Sequence, residues 1–431
     1  MGWEEIYKRR LATAAEAVRR IKSGDRIVVG HACGSPEVLL KAMVENKDAY
    51  ENVEIVHMVA MGPSEYCLPE NSPHFIHNSL FAGATSRKAI HDGRAMFTPS
   101  HFSQIPRLFT KKILPVDVTL CMLSPPDEHG FCSFGVSVDY TKPAAESSAL
   151  VIAEVTPHMP RTLGDAFIHV SRIDCIVETA SKPIILQPPK ISDIDEKIGG
   201  YCAELIRDGD CLQLGIGAVP DSILGFLKDK KELGIHTEMF SDGVVDLVNE
   251  GVITCTRKNF HTSKMVATFF MGTEKLYRFV HNNPMVEMFP VDYTNNPAMI
   301  ARNNNMVSVN SALQIDLTGQ ACSESIGYRQ FSGTGGQADF IRGAAWSQGG
   351  RSILAFHSTA SRGTLSRIVP HLDEGAVVTT TRTDIHFAVT EYGIADLRGK
   401  SVPQRAEALI AIAHPGFREE LRKEFSRIYK R

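Results

Sequence analysis

The stretch from Ile21 to Gly30 returns, in the same order of residue types, from Ile206 to Gly215. Each copy has a polar Gly-Asp turn, then a short apolar strand that ends in glycine. Each then runs through a tight loop to a proline, Pro36 or Pro220, and into an apolar-periodic helix, Val38–Met43 or Ile223–Leu227. A proline suits the start of a helix, where its missing N–H would have had no partner. A second strand follows in each, Val53–His57 and Gly234–Glu238. Agreement of five features in one order points to a duplicated unit. Strands alternate with helices, so the fold class is α/β: two related, open, mostly parallel domains, residues 1–190 and 191–431. The segment Lys182–Lys190 holds three prolines and reads as the linker. Buried strands are expected at Val118–Leu123, Leu150–Glu154, Ile353–Phe356 and Ala376–Thr380. Open α/β sheets bind ligands at the carboxyl ends of their strands. That rule directs attention to the loops after Leu214, Glu238 and Phe356.

A net charge of −3, with 22% charged residues of mixed sign, leaves no basic block to recognise nucleic acid. Met1–Arg20 reads as one amphipathic helix without the apolar core of a signal peptide. No apolar run approaches the roughly 20 residues of a membrane helix, so no membrane partner and a cytoplasmic location are expected. The nine cysteines include no C-x-x-C pair, which fits free thiols and neither a disulfide frame nor a zinc site.

Three stretches could carry chemistry. Gln213, Leu214, Gly215, Ile216 and Gly217 join a strand to a helix, and glycines there let a ligand reach the backbone at a helix N-terminus. This is not a full dinucleotide fingerprint, because position 220 is proline. His236–Gly243 sets Glu238 at the end of a predicted strand, and a carboxylate can attack an activated acyl carbon. In the first copy the aligned residue is His57, so the architecture itself does not require a glutamate. Phe331–Phe340 contains Gly333, Gly335 and Gly336, and the N–H groups of Gly335 and Gly336 could polarise a carbonyl oxygen. Glu391, in Thr390–Gly393, is a rival nucleophile. Asp127, Glu128 and His129 lie in the proline-rich loop Ser124–Gly130; three adjacent residues rarely converge on one metal ion, and the loop is read as a wall of the site.

Taken together, Ser124–Asp127, Leu212–Gly217, Gly234–Asp246, Phe331–Gln337, Val389–Ala395 and Ala413–Gly416 resemble the acetyl-CoA hydrolase/transferase family, a branch of the family I CoA transferases. The resemblance runs over nearly the whole chain. It implies a ping-pong exchange of CoA between a short-chain acyl-CoA, such as 4-hydroxybutyryl-CoA or butyryl-CoA, and acetate, through a thioester on Glu238. It implies CoA contacts at Gln213–Gly217 and at Gly333, Gly335 and Gly336, and a place for Asn310 facing the substrate. The partners implied are acyl-CoA, CoA and small carboxylates, with CoA a substrate and no bound cofactor or metal, in a homodimer or dimer of dimers. A thioesterase using Glu238, and a non-catalytic CoA-binding protein, stay open as alternatives.

Overall fold

The computed structural model describes residues 2–429. The chain forms two compact units. One comprises the chain as far as Gln187 together with Val266–Thr294; the other comprises Pro188–Met265 together with the chain from Asn295 onward. The excursion back into the first unit is held by main-chain bonds, among them Val138 N–H to Thr268 O and Phe270 N–H to Val136 O. Lys182–Lys190 contains no helix or strand.

The first unit is built on β1 (Arg26–Val29), β2 (Val53–His57), β3 (Phe75–Ser79), β4 (Ala95–Phe97), β5 (Val118–Leu123), β6 (Leu150–Val155) and β7 (Cys175–Glu178). They pair in the order β7-β6-β5-β1-β2-β3-β4, parallel throughout. The second unit uses β8 (Cys211–Leu214), β9 (Gly234–Ile235), β10 (Met306–Asn310), β11 (Arg351–Ala355), β12 (Phe387–Thr390) and β13 (Gly393–Asp396). Their order is β9-β8-β10-β11-β12-β13, with only the last pair antiparallel. Thus β7-β6-β5-β1-β2 in one unit corresponds to β12-β11-β10-β8-β9 in the other, and the duplication is visible strand by strand.

The turn that opens each copy is made the same way. Gly24 and Gly209 take positive φ, 82° and 77°. Asp25 accepts the N–H of Lys22, and Asp210 accepts that of Arg207. Arg26 faces Glu54 across β1 and β2, while Cys211 faces Gly234 across β8 and β9. This register sets Glu238 opposite Met58, not His57, in the repeat. The earlier alignment was one residue out because a sequence comparison does not see which residues share a pleat. Met58 is buried and apolar, so the architecture still makes no demand for a carboxylate at that place.

Other boundaries moved for local reasons. The single helix expected over Met1–Arg20 is two, Trp3–Arg10 and Ala14–Val18, because Thr13 and Glu16 form a capping box that starts the second. The helix after Gly217 spans Ala218–Gly225 and includes Pro220 in its first turn. Ala376–Thr380 is not a strand: Val377 and Val378 are exposed, and only Thr380 makes an isolated bridge, to Ala321. The strand beginning at Gly234 ends at Ile235, three residues short of Glu238. All nine cysteines are free and buried. No helix among the described residues is long and apolar enough to cross a membrane.

Two buried histidines stand at the end of β2 and in the middle of β3. His57 Nδ1 meets the Tyr66 hydroxyl at 2.8 Å, and His77 donates from Nδ1 to Ile55 O at 3.1 Å. Burial holds the His57 imidazolium form well out of reach, aided by His77 and His31, and lowers His77 from 6.5 to about 4. Both rings therefore fold neutral, and the unfolded chain binds more protons as pH falls below 6.5. Stability should be complete above pH 6.5 and drop toward pH 4, with about 1.4 kcal/mol per pH unit from each histidine. Urea unfolding midpoints measured across that window should show the slope, and His77→Gln should flatten it.

Candidate active site

In the second unit the parallel pairing brings successive chain exits onto one edge of the sheet. Glu238 follows β9, Gly215 follows β8, Asn310 ends β10, His357 follows β11 and Glu391 follows β12. The arrangement agrees with the expectation for open α/β sheets.

Glu238 is partly exposed. The turn that presents it is pinned by Thr237, whose hydroxyl donates to Met239 O at 2.8 Å and to Leu214 O at 3.3 Å. The fully buried Asn295 donates from Nδ2 to Glu238 Oε2 at 2.7 Å. Asn295 was not singled out from sequence. It stands beside Asn296 and Pro297, a pattern that reads as a helix start, and Asn296 does cap the helix Pro297–Ile300.

Gly336 touches the same carboxylate. A Cβ added there would lie 1.9 Å from Glu238 Oε2 and 2.3 Å from Asn295 Nδ2. Glycine at this position is therefore a matter of space. Gly336 also N-caps the ten-residue helix Gln337–Trp346, so the positive end of a helix dipole faces Glu238. Gly333 and Gly335 are buried, and Gly335 takes a φ of 54°. The loop is fastened by Glu324: its carboxylate accepts from the Thr334 hydroxyl, and its carbonyl accepts from Phe331 and Ser332 N–H. Burial raises the Glu324 pKa, and the Thr334 bond opposes that.

The loop after β8 divides in two. Gln213 and Leu214 are buried. Gln213 donates to Val309 O at 3.2 Å and accepts from Asn310 Nδ2 at 3.1 Å, which ties β8 to β10. Beyond them Ile216 is 40% exposed, and an added Cβ at Gly215 or Gly217 would meet nothing within 4 Å. Gly217 also has a φ of 120°. This loop, Asn310, Phe356, His357 and Arg367 line a cavity of about 350 Å³.

Glu391 is otherwise engaged. Both of its oxygens accept from Ser358, one from the backbone N–H at 2.9 Å and one from the hydroxyl at 2.7 Å. In the first unit, Asp127 closes its own loop by accepting from the N–H groups of His129 and Phe131, and pairs with Arg161 at 2.8 Å. Its pKa is lowered by those bonds and by Arg161 against the opposing effect of burial.

Residues 1–188 match the model of the acetyl-CoA hydrolase/transferase N-terminal domain, and residues 272–425 that of the C-terminal domain. The chain is 58% identical to the 4-hydroxybutyrate coenzyme A transferase of Clostridium kluyveri, covering 99% of this chain and 100% of that one. It is 45% identical to the succinyl-CoA:cyclohexane-1-carboxylate CoA transferase of Geobacter metallireducens, over 97% of this chain and 96% of the relative. Among solved structures, the 4-hydroxybutyrate CoA-transferase of Porphyromonas gingivalis superposes with a TM-score of 0.86 at 43% identity, covering 99% of this chain and 100% of that one.

The two kinds of glycine should respond differently to a methyl group. Gly336→Ala should cost about 1–3 kcal/mol by overpacking, whereas Gly215→Ala, with open space around it, should stay within about 0.5 kcal/mol of the parent. Urea unfolding of the two variants checks the contrast.

Proposed function

The chain belongs to the acetyl-CoA hydrolase/transferase family, and from that premise we propose that it exchanges coenzyme A between a short-chain acyl-CoA, 4-hydroxybutyryl-CoA or butyryl-CoA, and acetate, with Glu238 as the group that carries CoA. The observation that bears most of this reading is the Glu238 carboxylate held between the Asn295 amide and the glycine at the head of a helix. Identity of 58% to a 4-hydroxybutyrate coenzyme A transferase supports the acyl group.

With Oε2 bonded to Asn295, the other Glu238 oxygen attacks the thioester carbonyl, and the CoA thiolate leaves with the C–S electron pair. The product is a mixed anhydride. The thiolate then adds to the glutamyl carbonyl carbon, the acyl carboxylate departs, and a glutamyl-CoA thioester remains. Charge builds on Oε2 in that addition, where the Asn295 N–H and the helix N-terminus stabilise it; one such donor is worth about 3–4 kcal/mol in other acyl-transfer enzymes. Acetate repeats the two steps in reverse and leaves as acetyl-CoA. One thioester replaces another, so the exchange needs no ATP. Water must be kept from both intermediates, or they hydrolyse.

Glu391 is the weaker candidate because two hydrogen bonds from Ser358 already occupy its oxygens. The test follows acetyl-CoA and free CoA separately, with butyryl-CoA or 4-hydroxybutyryl-CoA, with and without acetate. Acetyl-CoA should form only when acetate is present. Glu238→Gln should lower that rate by about four orders of magnitude or more, and Asn295→Ala by roughly 10²- to 10³-fold. Glu391→Gln should retain exchange. Incubation with acyl-CoA alone should leave CoA, less one water, on the peptide containing Glu238. Free CoA released at the same rate without acetate would make the protein a hydrolase, and an active Glu238→Gln variant would remove the mechanism.

A further inference from the structure

Two adjacent residues, Ser323 and Glu324, grip the glycine loop that touches Glu238. The main-chain carbonyl of Glu324 accepts the N–H groups of Phe331 and Ser332, at 2.7 and 3.0 Å. Its carboxylate accepts the Thr334 hydroxyl at 2.9 Å. The Ser323 carbonyl accepts the Ser332 hydroxyl at 3.0 Å, and the Ser323 hydroxyl oxygen accepts the Gln337 amide at 2.8 Å. These bonds fall on both sides of Gly333, Gly335 and Gly336. The grip is itself anchored. Ser323 donates its N–H to the Thr379 hydroxyl at 3.0 Å, and its hydroxyl donates to the carbonyl of Ser311, the residue after β10, at 2.9 Å.

A carboxylate is a costly fastener here. Glu324 is 5% exposed, and burying a carboxyl group is unfavourable unless its bonds repay it. The loop it holds explains the cost. Glycine is the most freely turning residue, and three glycines in four positions give the segment little stiffness of its own. Yet its place is exacting: Gly335 sits at a φ of 54°, and Gly336 lies so close to Glu238 that a Cβ would come within 1.9 Å of Oε2. Between Gly333 and Gly336 the sequence offers one side chain, Thr334, by which the backbone can be held from outside. Glu324 is bonded to that side chain.

We propose that Glu324 is a positioning residue for the exchange: acting through the Thr334 hydroxyl, it holds the Gly335–Gly336 backbone in register with the Glu238 carboxylate. The assignment rests on the CoA-transferase reading and adds to it a residue that acts at one remove from the reacting group. A misplacement of about 1 Å beside a reacting group can cost about 10²-fold in rate. The contribution is to geometry in the transition state, so its loss should fall on kcat and leave KM nearly as it was.

The experiment measures CoA exchange from butyryl-CoA to acetate in the parent protein, Thr334→Val, Thr334→Ser, Glu324→Ala and the double variant Glu324→Ala/Thr334→Val. Valine keeps the outline of threonine and removes the hydroxyl. In Thr334→Val, kcat should fall roughly ten- to a hundredfold, with KM for butyryl-CoA within about threefold of the parent. Thr334→Ser keeps the hydroxyl and should recover most of the rate. Glu324→Ala should lose at least as much as Thr334→Val, and the double variant should be no slower than Glu324→Ala, because the two side chains work as one unit. Amide hydrogen exchange should quicken over residues 331–337 in Thr334→Val. A kcat unaltered in Thr334→Val would overturn the assignment, as would a Thr334→Ser variant no faster than Thr334→Val, or losses that simply add in the double variant. If the parent protein moves no CoA, the transferase reading fails by itself. Hydrogen exchange then decides the role of Glu324: quickening confined to residues 331–337 in Thr334→Val upholds it, and unchanged exchange overturns it.

Discussion

The parallel pairing of β8 with β9 on one side and β10 on the other is the constraint on which the site depends. Parallel strands all discharge their chain at the same edge, so five loops distant in sequence meet in one row. A parallel sheet must also be covered on both faces, which confines open space to that edge. The catalytic possibilities of the second unit are therefore set by what each strand carries just past its last hydrogen bond.

The two units answer that constraint in different ways. At the end of β2 and within β3 the first unit places the buried, neutral His57 and His77, and it buries Met58 at the position that Glu238 holds in the second. At the ends of β8 and β9 the second unit places glycines with no neighbours and a partly exposed carboxylate. Duplication supplied the same frame twice.

Much of this was legible in the sequence. The Gly-Asp turns, the strands at 118–123 and 150–155, the irregular linker and the place of Glu238 beside a glycine loop all follow from local pattern, because a turn or a buried strand is specified by its own few residues. What could not be read depends on contacts between distant residues. Asn295 looks like part of a helix start, and only the fold lays its amide against Glu238. Gln213 sits in the glycine-loop motif yet spends its side chain on β10. The apolar stretch at 376–380 misled because hydrophobicity alone does not tell a buried strand from an exposed loop.

The return of Val266–Thr294 to the first unit bears on how the protein is made. Main-chain bonds from Val138, Val136 and Asp139 need that returning segment as their other half. During translation the first unit cannot close its structure when its own leading stretch leaves the ribosome; it waits for about a hundred further residues, roughly 5–20 s at ordinary synthesis rates. Meanwhile the early strands of the second unit have emerged beside it. The order of assembly is thus interleaved, and a chain released early would leave both units unfinished.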